Sequence, residues 1–292
     1  MISICSVLLL FILISGQVIA STTIFTFRAP ESGKDTRFNY DNSALELALK
    51  KTQKEYGEYI LKPSPVMNFA RAMRSAQLNQ YQNFFFKQSY DEELKEKDLA
   101  YVPFPIDLGI VGYRVCFLSE TIKDKVASAK TFDELRKFSH GQGVGWADTV
   151  ILQNSGMKVM TISNYESLFH LVAANRFDLF CRGANELLNE YNSYKHIKDL
   201  TYDTSMSIAY PLPRFFYTHK SNSDAIERVY KGLIAAYQDG SLKELWTKYY
   251  KESIEFVKLH ARKIYWIENP NLKGIESNQY RQYFYDPFSE KM

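Results

Sequence analysis

The 292-residue chain predicts an α/β protein of two lobes, each a mostly parallel sheet flanked by helices, joined by two extended crossings. Three observations predict it. Strand-like and helix-like segments alternate in two successive cycles, as in parallel sheets covered by helices on both faces. Two proline-bearing extended stretches, 101–112 and 208–215, bracket the second cycle, so the chain leaves one lobe, builds the other and returns. A hydrophobic content of 46% over this length suffices for one large domain or two lobes of ordinary size. A lobe inserted between two crossings leaves a cleft, and ligands favour such boundaries and the carboxyl ends of parallel strands.

The first twenty residues, MISICSVLLLFILISGQVIA, carry no charged side chain. Their apolar run is too short and too polar at its end to span a bilayer, and they read as a signal peptide cleaved near Ala20–Ser21. The expected organisation is a leader over 1–20, a discontinuous first lobe over 21–112 and 208–292, and an inserted second lobe over 113–207. TTIFTFRAP is a strand broken by Pro30. SALELALKKTQKEYG is a helix with Leu45, Ala48, Leu49 and Thr52 at helical spacing, a capping box of Ser43 and Glu46, and Gly57 as its stop. YILKPSP and YQNFFFKQ are strands around the helix VMNFARAMRSAQL, and DEELKEKDLA is a solvated turn or short helix. YVPFPIDLGI carries two prolines and serves as a connector, not a central strand.

GYRVCFLS opens the second cycle. Thr131 and Glu134 cap FDELRKF, GQGVGWA is strand and turn, and DTVILQNSG is a helix closed by Gly156. KVMTIS is a strand, Ser163 and Glu166 cap the helix NYESLFHLVAANR, and FDLFCRG is a strand followed by the helix ANELLNEYNSY. SMSIAYPLPRFFYT is the second crossing. A long amphipathic helix, SDAIERVYKGLIAAYQDG, ends at Gly240, and Ser241 and Glu244 cap LKELWTKYY. The tail is aromatic and irregular.

With 36 basic and 33 acidic residues, a net charge of +3, nothing points to nucleic acid. Catalytic signatures are missing: there is no G-x-S-x-G elbow and no H-E-x-x-H, and the five histidines have no ligand spacing. Cys181 sits in an apolar strand, where burial raises a thiol's pKa. The chain is therefore expected to be no enzyme and to use no metal or cofactor, with a hydrolase as the distant alternative. Export leaves Cys116 and Cys181 in the mature chain, either bonded or as two buried thiols.

Gly141, Gly143 and Gly145 form G-x-G-x-G, which lacks the dinucleotide spacing. The helix after them still offers free amides that Asp148 or Thr149 can cap, and a helix start receives a carboxylate without any lysine. Trp146 would supply an apolar wall. Arg182, at the carboxyl end of FDLFCRG, faces the cleft mouth with a fork suited to a carboxylate or phosphate. Glu186 would fix it or meet an ammonium group. On this reading Arg182→Ala weakens binding and leaves folding nearly intact. The first loop adds Glu31, Asp35 and Arg37 at the cleft edge.

The order of these strings resembles the bacterial periplasmic solute-binding proteins of the two-lobed type II class, close to the family 3, amino-acid-binding group. GYRVCFLSE is similar to that family's first strand of lobe two. The run from Gly141 to Leu187 is similar to its central block, and YKGLIAAYQDGSLKELWTKYY to its closing helices. The resemblance implies closure of the lobes on a small polar or anionic solute, with Trp146, Asp148, Thr149, Arg182 and Glu186 where lobe two meets it. It implies a monomer handing an amino acid or carboxylate to an ABC-type importer or a membrane sensor, or alternatively a ligand-free signalling or scaffold protein on the same fold. It also implies that Cys116 and Cys181 are cross-strand neighbours able to form a disulfide. One departure stands out: the arginine that such proteins carry after the strand matching YQNFFFKQ is absent from SYDEELKEK, so Arg37 or Arg182 would replace it or the ligand differs.

Overall fold

The computed structural model describes residues 22–289, apart from Lys34, Gly274 and Glu276; the expected leader and its cleavage point lie outside the described residues. In chain order the strands are β1 (Thr23–Phe27), β2 (Tyr59–Pro63), β3 (Phe84–Ser89), β4 (Leu99–Tyr101), β5 (Tyr113–Ser119), β6 (His140–Gly143), β7 (Val159–Ile162), β8 (Phe180–Gly183), β9 (Leu200–Tyr202), β10 (Met206–Ala209), β11 (Arg214–His219) and β12 (Lys263–Trp266). The helices are α1 (Asn39–Tyr56), α2 (Phe69–Gln77), α3 (Lys123–Ala127), α4 (Phe132–Leu135), α5 (Ala147–Asn154), α6 (Tyr165–Ala173), α7 (Leu187–Tyr194), α8 (Ser223–Gln238), α9 (Ser241–Val257) and α10 (Ser277–Arg281).

Two five-stranded sheets result. The first runs β2-β1-β3-β11-β4; the second runs β12-β10-β5-β8, with β9 also on β5. The sheets are mixed where mostly parallel ones were expected. Pairing is parallel for β2-β1-β3, β6-β7 and β10-β12, and antiparallel for β3-β11, β11-β4, β5-β8, β5-β9 and β5-β10. Connectivity accounts for β4-β11 and β5-β10: the chain leaves on β4 and enters on β5, then leaves on β10 and returns on β11, so the outgoing and returning strands of each sheet run in opposite directions. The crossings are 102–112, from β4 to β5, and 210–213, from β10 to β11. A third passage corrects the assignment of 208–292 to the first lobe. α9 leads to β12, which pairs parallel with β10 and covers an edge of the second sheet that would otherwise stand open.

Alternation along the strands explains the layers. On β3, Phe84 and Phe86 pack with Phe215 and Tyr217 on one face, and Phe85 joins Phe25 and Leu45 on the other. On β5, Val115 and Phe117 face one way and Cys116 and Leu118 the other. A sheet buried on both faces needs such continuous apolar runs. One apolar cluster passes through the crossings, by way of Val102, Phe104, Ile106, Ile110 and Trp246, and joins the inner faces of both sheets. The lobes therefore share a hinge core and keep separate outer ones.

Three expected caps move. α1 begins a turn before Ser43, because Tyr40 is buried with its hydroxyl donating to the Ile106 carbonyl at 2.7 Å. Ser43 instead meets the Tyr249 hydroxyl at 2.9 Å. Asn164 takes the capping role expected of Ser163, and Gly240, left-handed at φ +83, precedes α9. The Thr131–Glu134 capping box forms as expected. Cys116 and Cys181 stand opposite one another on β5 and β8 and are joined by a disulfide.

Candidate functional site

Strand ends from both sheets converge on a cavity of about 60 Å3. The first lobe contributes Arg28, just beyond β1, then Arg37 and Phe38 before α1, Phe69 of α2, and Lys87, Gln88 and Ser89 at the end of β3, with Arg214 from the start of β11. The second lobe contributes Trp146, Ala147 and Asp148 from the β6–α5 turn, with Arg182 and Glu186 from β8 and the loop after it. Five cationic side chains thus line the cavity against two acidic ones.

The second-lobe charges are closed on themselves. Asp148 accepts hydrogen bonds from Arg114 and from the Tyr210 hydroxyl, all three being buried. Burial alone would raise its carboxyl, but Arg114 and Arg214 hold it below the ordinary carboxylate range. Arg182 is 2% exposed. Its Nε lies 2.9 Å from both Glu190 oxygens, and its Nη2 meets Glu190 at 2.8 Å and Glu186 at 3.0 Å. Glu186 also accepts from the Gly183 amide at 2.9 Å and from Arg214 Nη1 at 3.1 Å. Burial opposes its charge, yet Arg182, Arg214 and Arg114 hold its carboxyl well below the usual value. Trp146 is half-buried beneath Arg182, whose guanidinium sits 4.8 Å from the ring, and the ring stacks on Phe180.

The glycines of this turn make room. A Cβ on Gly143 would lie 2.3 Å from Trp146, and one on Gly141 would lie 2.2 Å from Phe177. Gly145 takes φ +79, the left-handed region that glycine tolerates. Trp146 itself occupies the N-cap of α5 with no side-chain cap, so neither Asp148 nor Thr149 caps the helix as expected. Thr149 is half-buried, its hydroxyl has no partner, and it does not line the cavity; α5 packs there against 270–272.

The first-lobe wall keeps more in reserve. Arg37 is gripped bidentately by Asp35, at 2.7 and 2.8 Å, and also meets Glu31 at 3.0 Å. Its guanidinium lies 3.7 Å from the Tyr165 ring of the other lobe. Glu31 bridges Arg37 and Arg28 and lines a neighbouring pocket, not the 60 Å3 cavity. Lys87 is held by Asp41 at 2.6 Å and Asp107 at 3.2 Å. Arg28, however, meets Glu31 through Nη2 alone, and its buried Nε has no hydrogen-bond partner. Burial, helped by Arg37, pushes its pKa down to about 10. Arg214 reaches Glu186 and Asp107 through Nη1 alone.

Of the residues expected from the sequence, Arg37, Trp146, Asp148, Arg182 and Glu186 therefore gather at the cavity, and Glu31 and Thr149 stand beside it. Arg182 is a correction in kind: it neutralises two buried carboxylates, so its loss would disturb folding. Arg28, Lys87, Arg214, Phe38 and Phe69 also line the cavity and were not expected from the sequence. The strand-end rule that selected Arg182 also selects Arg28, just beyond β1, and Lys87, in the second half of β3, both lining the same cavity.

The lobes touch across the cleft. Arg214 bonds Glu186, Ser32 donates to Glu166 at 2.6 Å, and Arg37 covers Tyr165. Among the described residues no group of three or more His, Cys, Asp and Glu side chains could hold a metal ion, and no helix is long and apolar enough to cross a membrane.

No family model matches the sequence, and no curated protein matches it. Solved structures match in fold. An ancestral arginine-binding protein bound to arginine superposes with a TM-score of 0.58 at 15% identity, over 79% of this chain and 99% of its own. A Salmonella typhimurium periplasmic binding protein of high arginine specificity gives 0.58 at 12% identity, over 78% of this chain and 100% of its own. An ancestral amino-acid-binding protein, described as a precursor of cyclohexadienyl dehydratase, gives 0.53 at 13%, over 78% of this chain and 95% of its own. At such identities the likeness is one of fold, and the chain has the two-lobed fold of the periplasmic binding proteins.

Proposed function

We propose that this chain is an exported, monomeric binding protein whose lobes close on a small carboxylate-bearing solute, and that it delivers the solute to an ABC-type importer or a membrane sensor of the periplasmic side. One observation carries the reading. The acidic side chains of the cavity already have their partners, whereas the Nε of Arg28 is an unpaired donor and Arg214 uses one of its nitrogens. The unspent capacity of the wall is for an acceptor, and a guanidinium matches a carboxylate in geometry and charge. Phe38, Phe69 and Trp146 provide the apolar surround of a solute pocket. Proteins of the same fold that bind arginine support an amino acid as the solute. The site residues proposed are Arg28, Arg214, Arg37, Lys87 and Trp146, with Asp148, Arg182 and Glu186 fixing their positions.

A thermal-shift screen with amino acids, small carboxylates and sugars tests this. A ligand that binds only the folded form stabilises it by about 2.7 kcal/mol at a hundred times its Kd, so a carboxylate or amino acid should raise the melting temperature by several degrees. A second reading, a ligand-free scaffold, is favoured by the direct contacts Arg214–Glu186 and Ser32–Glu166 between the lobes. It expects no shift with any member of the screen.

A further inference from the structure

Beside the 60 Å3 cavity lies a larger chamber of about 280 Å3, between the start of α1, the loop into α7 and the middle of α9. Arg37, Lys87 and Glu186 line both spaces, which therefore adjoin. We propose that this chamber is a second subsite, taking a neutral amide-bearing extension of the solute whose carboxylate the first cavity holds; the proposal rests on the solute-binding reading above.

Charge separates the two spaces. The front cavity has an excess of three positive side chains, but the chamber balances Arg37, Lys87 and Lys248 against Glu186, Glu190 and Glu252. A balanced wall gives no electrostatic gain to a second ion, and a neutral group is the less costly occupant to desolvate. Asn185 then specifies which neutral group. It lines the chamber at 1% exposure, and both its Oδ1 and its Nδ2 have no hydrogen-bond partner. Nearby hydroxyls do not use it: Ser253 Oγ donates to the Ala184 carbonyl at 2.7 Å and accepts from the Leu188 amide at 3.2 Å, and Tyr250 is directed at Asp107. One side-chain carbonyl and one NH2 at a single buried point match the N–H and C=O of another amide. A site built to hydrogen-bond a ligand group rejects the analogue that lacks it. The solute class is therefore a carboxylate joined to a neutral amide, as in an N-acylated amino acid.

Isothermal titration calorimetry with a matched pair tests this directly. N-acetylglycine and pentanoate have the same termini and chain length, and differ in that the amide of one is two methylenes in the other. Acetate serves as the short reference. The wild-type protein should bind N-acetylglycine roughly tenfold more tightly than pentanoate. Asn185→Leu should abolish that ratio. Asn189→Trp, placed on the exposed rim of the chamber, should weaken both long probes relative to acetate, and it keeps the test open if Asn185→Leu misfolds. Equal binding of the two long probes by wild type, or an unchanged ratio in Asn185→Leu with any shift confined to its melting temperature, overturns the subsite and leaves the front cavity standing. Failure of all three probes to bind, in a protein that does bind other carboxylates in the screen, also overturns the subsite. Failure of every carboxylate overturns both.

Discussion

The two walls of the cleft use the same residue types to opposite ends. On the second lobe, Arg182 and Arg114 are buried, and their guanidiniums face Glu186, Glu190 and Asp148 of the same lobe. On the first lobe, Arg28 and Arg214 are only partly committed. The difference teaches that an arginine at a strand end is a ligand contact only to the extent that its own fold leaves donors unspent. The second-lobe arginines hold the wall in shape; the first-lobe arginines are proposed to hold the solute.

That contrast can be broken most forcefully at Arg182. Arg182→Ala strands Glu190 as a buried unpaired charge and takes one cationic partner from Glu186, and removing one partner of such a buried pair costs about 3–5 kcal/mol. Urea unfolding should show that loss, and a change below about 1 kcal/mol would place Arg182 with the solute-facing arginines after all. The second lobe is also stapled: the Cys116–Cys181 bond closes a separation of 65 residues, for which chain entropy gives about 4 kcal/mol. The Cys116→Ala, Cys181→Ala double variant should lose stability on that scale, and unfolding of both lobes at the wild-type midpoint would contradict it.

The lobes should also differ in their response to acid. His140 of β6 is buried, and burial lowers its pKa to about 4, with Asp178 opposing. Between pH 6.5 and 4 the unfolded chain takes up a proton that the folded chain refuses, so the stability due to His140 falls by about 2 kcal/mol from pH 7 to pH 5. His140→Leu should lack that fall. Asp41 of α1 runs the other way. Burial raises its carboxyl to about 6, with Lys87 opposing and Asp107 adding to the rise. The folded state then protonates first, and the wild type should gain about 1 kcal/mol over Asp41→Asn between pH 7 and pH 5. Parallel pH–stability profiles for either variant and wild type would remove the corresponding group from this account.

Much of the first-order plan was legible in the sequence. Alternating strand and helix signals gave the two lobes, and the proline-bearing stretches marked both crossings because proline cannot serve inside a sheet. Local rules failed where distant contacts decide. Ser43 had a capping pattern, but burial of Tyr40 extends the helix past it. The four-residue strand β12 sat in a tail that looked irregular, and only the open edge of β10 gives it a partner. At the site, strand-end position found Arg182 and could have found Arg28. The partner count of each could not be read, since Asp148 is 34 residues from Arg114 and Arg214 is 28 from Glu186. Arg114, an arginine within the apolar run GYRVCFLS, was the one local sign that the second lobe held a buried ion network.

The most direct test of the contrast is a calorimetric titration of Arg28→Met with the first carboxylate that raises the wild-type melting temperature. Arg28 is buried with an unpaired Nε, and methionine keeps the volume while removing the charge. Affinity should be at least tenfold weaker, by about 1.4 kcal/mol or more, with the melting temperature of the free protein within a few degrees of wild type. Wild-type affinity in Arg28→Met would contradict the contrast.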